Sequence, residues 1–369
     1  MVSVIIPAYN IADFVGRCIN SVCAQSYSEL EIIIIDDGST DRTPEILDEF
    51  ESRDSRIKVV HKKNEGVSVA RNTGINLSLG EYIFFFDGDD FLETDTVETM
   101  VNLAKHTGSD AVIYGYHRYL DNQIVDTLIP RFEKDVYEGT EIIEKIVPRY
   151  IGFSLDALNG FVNREDGAMY VENPALWHMM CRGDIIRDNN IKFVPGMKIG
   201  EDTIFSTEYL SYTQKVCIHK KAYYYIVSRN NSAIGSYKNN AKAKLDSKLL
   251  LLKERQAVTE RIKARTGYDI SEAWKGTVVM SAMELAFLYG NTKSEMKAKE
   301  RFKEWCSYSR LPEVKSIIKA YHPRGKSIVL KVPFLFLKWG WYRVLFLACE
   351  VLSLVGYSYD RDAMMEGKK

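Results

Sequence analysis

The chain has 369 residues, 46% of them hydrophobic and 27% charged, the composition of a folded protein with room for two domains or for one domain with a large extension. A formal net charge of -1 gives no sign of a nucleic-acid binder. The six cysteines, at 18, 23, 181, 217, 306 and 349, form no C-x-x-C pair and no His-rich cluster, which argues against a zinc site or a disulfide framework and for reduced cytosolic thiols.

The first ten residues, MVSVIIPAYN, hold neither a basic segment nor a long apolar one. They predict a strand that begins at once and no secretory leader. Apolar runs at 2–7, 30–36, 56–61, 81–87 and 110–116 predict five strands. Runs this continuous are expected where both faces of a sheet are covered. Helix-length segments separate them. Residues 11–25 space Phe14, Val15, Cys18, Ile19 and Val22 roughly at helical intervals. Thr43 as N-cap with Pro44 at the first helical position opens a second helix, and residues 66–80 form a third. This alternation predicts an α/β fold with a mostly parallel sheet and helices on both faces.

The regularity fades after Tyr116. Residues 117–175 read as elements that cover or extend the sheet edge, 200–212 as a helix, and 241–310 as a mainly helical region. Residues 327–357 are strongly apolar but interrupted by Lys331, Lys338, Arg343 and Glu350, with Pro333 as a kink. No charge-free run of 18 residues occurs there, so a spanning helix is not expected. From 314 to 349 the chain has basic residues and no acid. Aromatic, basic and apolar residues together predict a segment lying in the interface of an anionic membrane; helices packed on the rest of the chain or in a dimer are the competing reading.

In open parallel α/β sheets, ligands bind beyond the carboxyl ends of the strands. The first strand ends in PAYN, the second in DDGSTD and the fourth in DGDD. In FFFDGDDFL, residues 84–92, three acids fall within four positions directly after an apolar run. Like charges this close repel, and a divalent cation such as Mg²⁺ or Mn²⁺ would relieve that repulsion through hard carboxylate oxygens. An acidic turn that caps the next helix is the plain alternative.

The series VSVIIPAYN, CINSVCAQSY, EIIIIDDGSTDRT, NEGVSVARNTGI and GEYIFFFDGDD resembles the nucleotide-binding half of the family 2 glycosyltransferases, of the bacterial surface-polysaccharide type. These are inverting, metal-dependent enzymes of GT-A fold that use nucleotide-diphospho-sugars. The likeness is dense over residues 2–115 and resumes at ALWHMMCRGDII and GEDTIFSTEYL. The resemblance implies four segments: a nucleotide-sugar-binding half at 1–115, an acceptor-side half at 116–235, a helical region at 236–325, and an apolar, basic tail at 326–369.

It also implies roles. Asp89 coordinates a divalent metal, with Asp87 on the ribose or the metal shell and Asp90 behind them. Asp37 contacts the base, usually uracil; Gly38 permits close backbone approach; Pro7, Ala8 and Tyr9 line the base pocket. Arg71 suits a base carbonyl or the diphosphate. Asn72 and Gly74 shape a helix start; capping of the following helix is the plain structural alternative for Asp36 and the favoured reading for Asp41. In GED, Asp202 is the general base and Glu201 supports it, with Asp166 in REDG as a rival base. Trp177 stands near the acceptor, where sugars stack on indoles, with a plain core residue as the equal alternative. The family usually has Asn-Lys after this Trp, whereas His178 and Met179 follow here, leaving His178 to bind acceptor or metal or to pack. The family often has Arg soon after the tyrosines at 223–225; Ile226 takes that place, and Arg229 is its candidate replacement on the diphosphate.

The activity so implied is transfer of a hexose or N-acetylhexosamine from a UDP-sugar to a growing cell-surface glycan: capsule, lipopolysaccharide or exopolysaccharide. The acceptor would be carried on a polyprenyl lipid at the cytoplasmic face of the cell membrane. A teichoic-acid or protein acceptor, a homo-oligomer, and a non-catalytic module that binds sugar nucleotides or glycans are left open.

Overall fold

The computed structural model describes residues 1–163, 172–227, 240–324 and 328–355. The chain divides into two compact units, Met1–Tyr150 with Glu172–Asn230, and Ile151–Val171 with Asn231–Lys369.

Among the described residues the first unit holds ten strands: β1 (Val2–Ala8), β2 (Leu30–Asp36), β3 (Ile57–His61), β4 (Tyr82–Phe85), β5 (Phe91–Leu92), β6 (Ala111–Leu120), β7 (Gln123–Leu128), β8 (Val136–Glu138), β9 (Met179–Arg182) and β10 (Lys215–Val227). They form one sheet in the order β3-β2-β1-β4-β9-β6-β10-β5, with β7 paired to β6 and β8 to β10. The five apolar runs of the sequence are β1, β2, β3, β4 and β6. The pairs β3–β2, β2–β1 and β1–β4 are parallel, as is β6–β10. Beyond β4 the sheet becomes mixed, because β9 enters antiparallel between β4 and β6 and β5 adds antiparallel to β10.

Helices α1 (Ala12–Cys23), α2 (Thr43–Arg53), α3 (Val67–Leu77) and α4 (Thr96–Thr107) connect the first strands. Alternation along β1 and β2 sends side chains to opposite faces. Val4, Ile6, Ile32 and Ile34 share one core with Val15, Ile19 and Val22 of α1. Ile33 and Ile35 pack with Ala70 of α3. Gly74 lets α3 press onto β1: a Cβ there would stand 2.4 Å from Ile5 Cγ2. The register aligns Ala8, Asp36 and His61 across the carboxyl ends of β1, β2 and β3, where the polar motifs lie. The π-helical turn Ile142–Ile146 and the short helix α5 (Val147–Ile151) follow β8.

The second unit is helical. It contains α6 (Leu155–Val162), while α7 (Gly183–Asp188) and α8 (Glu201–Leu210) belong to the sheet unit. It continues with α9 (Ala241–Thr266), α10 (Lys275–Tyr289), α11 (Ala298–Ser309), α12 (Pro312–Ala320), α13 (Ile328–Lys338) and α14 (Tyr342–Leu354). The central helix is α10, which buries residues all round its axis from Gly276 to Tyr289 and touches α6, α9, α11, α12 and α14. The indole N–H of Trp305 in α11 donates to Ala282 O of α10 at 2.9 Å. No helix among the described residues is long and apolar enough to cross a membrane. All six cysteines are free.

Candidate active site

The loops after β1 and β2 are locked to each other by short polar side chains. Asn10, at φ 51, accepts the Thr40 N–H on its side-chain oxygen at 2.8 Å and donates its own N–H to Ser39 Oγ at 3.0 Å. Asp41 accepts from the N–H groups of Ala12 and Thr43, at the starts of α1 and α2, at 3.1 and 2.9 Å. Asp36 is buried; it accepts from Ser39 N–H at 2.9 Å and pairs with His61 Nδ1 at 2.7 Å. Pro7 and Ala8 end β1, and Tyr9 stands 50% exposed beyond them, a ring turned out to solvent rather than into the core.

Asp37, expected on the base, is 4% exposed. Its carboxylate takes Lys62 Nζ at 2.8 Å and the N–H groups of Glu65 and Gly66 at 3.0 and 2.7 Å. In this structure it therefore holds the 62–66 loop against the end of β2. Gly38 is needed for two reasons: its φ is +76°, and a Cβ would sit 2.7 Å from Asn64 N. Asn72 fixes α3 to the 193 segment by accepting from Phe193 N–H and donating to its carbonyl.

Phe84, Phe85 and Phe86 are buried, and the chain then turns outward through Asp87, Gly88, Asp89 and Asp90. Asp87 and Asp89 are half-buried, whereas Asp90 is only 4% exposed. The Asp90 carboxylate accepts from Tyr224 O–H and Val227 N–H, both at 2.8 Å. Tyr224 Oη in turn accepts the Asp87 N–H at 3.2 Å. The acidic turn is thus pinned to β10. Burial pushes the Asp90 carboxyl well above the usual range, and the charges of Asp89 and Asp87 push it further.

Arg71 joins the acidic turn to the GED segment. One guanidinium nitrogen donates to Asp202 Oδ1 at 2.7 Å and Glu201 Oε1 at 3.3 Å, and the other to Asp87 Oδ1 at 2.9 Å. The Arg71 side chain is 5% exposed, while those of Asp87, Glu201 and Asp202 keep 34%, 15% and 17%. Its guanidinium also lies 5.2 Å from the Phe193 ring centre. Burial alone would lower the Arg71 pKa, but Asp202, Asp87 and Glu201 together raise it, so the group stays charged.

Gly200, at φ 82, allows the sharp entry that puts Glu201 and Asp202 in the first turn of α8, where the helix dipole favours negative charge. Burial nonetheless pushes the Asp202 carboxyl up to about 8; Arg71 draws it down, and Glu201 and Asp87 raise it. Asp87, Glu201 and Asp202 thus surround one buried guanidinium, and Asp89 and Asp90 follow Asp87 in the acidic turn. No group of three or more His, Cys, Asp or Glu side chains among the described residues is placed to hold a metal. Asp87 and Asp89 instead suit a hard cation that keeps waters and shares itself with substrate phosphates.

The two residues expected on the acceptor side lie inside the core. Trp177 is 6% exposed and stacks on Tyr224 with ring centres 4.6 Å apart. His178 is 1% exposed, with Nδ1 3.0 Å from Tyr114 O and Nε2 2.6 Å from Asn173 O. Burial pushes the His178 imidazole pKa down. Asp166 and Arg229 fall outside the described residues. Sequence reasoning did not single out Tyr224 or Asn10. Tyr224 sits in a run of three tyrosines whose alternation along β10 alone could have pointed one of them at the acidic turn.

Residues 3–170 match the family model described as Glycosyl transferase family 2. The chain is 41% identical over 118 residues to the uncharacterized glycosyltransferase EpsJ of Bacillus subtilis, covering 32% of this chain and 34% of that one. It is 30% identical over 246 residues to the cholesterol galactosyltransferase of Borreliella burgdorferi, covering 66% of this chain and 64% of that one. The crystal structure of S. aureus TarS 1-349 in complex with UDP-GlcNAc aligns with a TM-score of 0.58 at 18% identity, covering 97% of this chain and 93% of that one. At this identity the likeness is one of fold alone, and its coverage includes the helical region. Residues 3–170 therefore carry a glycosyl transferase family 2 domain, while the chain spans between about a third and two thirds of the length of these curated relatives.

Proposed function

We propose that the protein transfers a sugar from a UDP-sugar, with inversion, to a hydroxyl of a growing cell-surface glycan. The observation that carries this reading is the single buried guanidinium of Arg71, which bonds at once to Asp87 of the acidic turn and to Asp202 of α8, 115 residues further along the chain. That contact supports a shared task for the residues proposed for the donor and the residue proposed as general base. Uridine is favoured by the UDP-GlcNAc in the S. aureus TarS structure.

In the proposed reaction the acceptor oxygen attacks the anomeric carbon while Asp202 takes its proton, and the bond from that carbon to the diphosphate breaks with the electron pair leaving on the diphosphate. With its carboxyl raised to about 8, Asp202 is a strong proton acceptor once ionised, and the ionised fraction grows as pH rises towards and past that value. A divalent cation on Asp89 and Asp87, when bound, would offset the charge of the departing diphosphate. Pro7, Ala8, Tyr9, Asp37 and Gly38 would frame the base, and Arg229 the diphosphate. Arg71 keeps the base and the acidic turn in register, a role distinct from direct diphosphate contact. Trp177 and His178, as acceptor-side residues, would act by shaping the wall behind Tyr224.

The test is donor consumption by the full chain with a panel of UDP-, GDP- and dTDP-sugars, with Mn²⁺ and with EDTA. Consumption of a UDP-sugar that needs metal and is lost in Asp89→Ala supports the proposal. Failure to consume or bind any sugar nucleotide overturns it and leaves the non-catalytic binding module.

A further inference from the structure

We infer that the outer face of α14, with the turn before it, docks on an anionic lipid surface. The inner face of this helix is fully used. Tyr342, Leu345, Phe346 and Cys349 are buried, and Glu350 is paired with Arg301 at 2.6 Å. The outer face should then be polar, and it is aliphatic. Val344, Leu347, Val351 and Leu354 are 46%, 59%, 59% and 72% exposed. Spaced three, four and three residues apart, they form one stripe along the helix.

At the N-terminal end of the stripe, Trp339 and Trp341 are 55% and 52% exposed. Indoles with one wet edge are at home at the headgroup level of a bilayer. Beside them a recess of about 500 Å³ is lined by Phe302, Arg310, Trp341, Tyr342 and Arg343. The Arg310 guanidinium lies 5.7 Å from the Tyr342 ring centre. Two exposed guanidinium groups beside an indole offer a lipid phosphate both charge and paired donors. From 314 to 349 the sequence has no acid to oppose this.

A second copy of the chain is the rival occupant, since the stripe has the spacing of a coiled-coil seam. Charge argues for lipid. The positions that flank such a seam are Arg343 and Glu350 on one side and Ala348 and Val355 on the other. Glu350 is already spent on Arg301, and Ala348 and Val355 offer no opposite charge to Arg343. Widening the apolar stripe with Ala and Val suits an interfacial helix better.

The test uses the full chain and vesicles of phosphatidylcholine, alone or mixed with phosphatidylglycerol, read by co-sedimentation at low and high salt. The double variant Leu347→Glu with Val351→Glu changes only exposed positions, and its thermal unfolding is compared with that of the parent. Binding to the anionic vesicles should exceed binding to the neutral ones at least tenfold and weaken with salt, and the folded double variant should lose at least tenfold. A chain that ignores anionic vesicles, or a folded double variant that binds them as the parent does, overturns the inference. So does a parent that is dimeric by light scattering, binds no vesicles and becomes monomeric in the double variant. None of these readouts depends on sugar transfer.

Discussion

Arg71→Ala is the perturbation that the site geometry predicts most sharply. The guanidinium is 5% exposed and holds three carboxylates at 2.7, 2.9 and 3.3 Å. Removing one partner of a buried ion pair costs about 3–5 kcal/mol, because the remaining charge is left without compensation. Here the acids retain 15–34% exposure, so water screens part of the loss and the low end, about 3 kcal/mol, is expected. That corresponds to roughly a hundredfold faster amide exchange in β4 and α8, measured by mass spectrometry under conditions where exchange reports the opening equilibrium. The pH trend has a definite sign. Without Arg71, which draws it down, the Asp202 carboxyl is raised further in the folded state above its unfolded value. The folded state then holds more protons, and stability falls as pH rises through the interval between the two values. The excess exchange of the variant over the parent should therefore be larger at pH 8 than at pH 6. Arg71→Lys should recover part of the loss, since an ammonium keeps the charge but reaches fewer of the three acids. Less than a threefold change in Arg71→Ala at pH 8, or a deficit that grows on acidification, would refute the reasoning.

Three further outcomes follow from the same contacts. The acid limb of kcat/KM should lie far above the ordinary carboxylate range, near the pH of about 8 to which burial raises Asp202, and activity should rise through it as the proton leaves; a limb near pH 4 would remove Asp202 as the base. Gly74→Ala should destabilise by about 1–3 kcal/mol in urea unfolding, because a new Cβ 2.4 Å from the stiff, buried Ile5 outweighs the gain of about 1 kcal/mol that Ala ordinarily brings to a helix. Trp177→Ala should cost about 3–5 kcal/mol of stability as a core truncation, while Trp177→Phe should keep the fold and change acceptor KM more than donor KM if this wall shapes the acceptor side.

The N-terminal half was legible in the sequence because its signals are local. Continuous isoleucines mark β2 within a residue, acids placed just after β4 mark the candidate site, and Thr43-Pro44 falls at the start of α2, although the N-cap is Arg42 and Thr43, expected there, is already the first helical residue. The rest depends on pairings that no local pattern encodes. The antiparallel entry of β9 between β4 and β6 follows from the register of Tyr82 with Arg182, a hundred residues away. The same distance in sequence hid the Arg71 cluster: a residue read as a phosphate or base contact is held by three acids from two other segments. Asp37 was equally hidden at short range, since its donors Lys62, Glu65 and Gly66 come from a loop that packs close to Gly38. The apolar and basic character of the C-terminal segment was visible in composition, but which side chains face outward became clear only once α14 had packed its inner face on α10 and α11.

The most direct test of the central claim, that the acidic turn and Asp202 serve one sugar-nucleotide site with separate tasks, is calorimetric titration of UDP with Mn²⁺ into the parent, Asp89→Ala and Asp202→Asn. The account predicts metal-dependent binding in the parent, at least a tenfold loss in Asp89→Ala, and affinity within a few fold of the parent in Asp202→Asn. Binding that is indifferent to Asp89 and to metal, or that disappears with Asp202 alone in a folded variant, would contradict it.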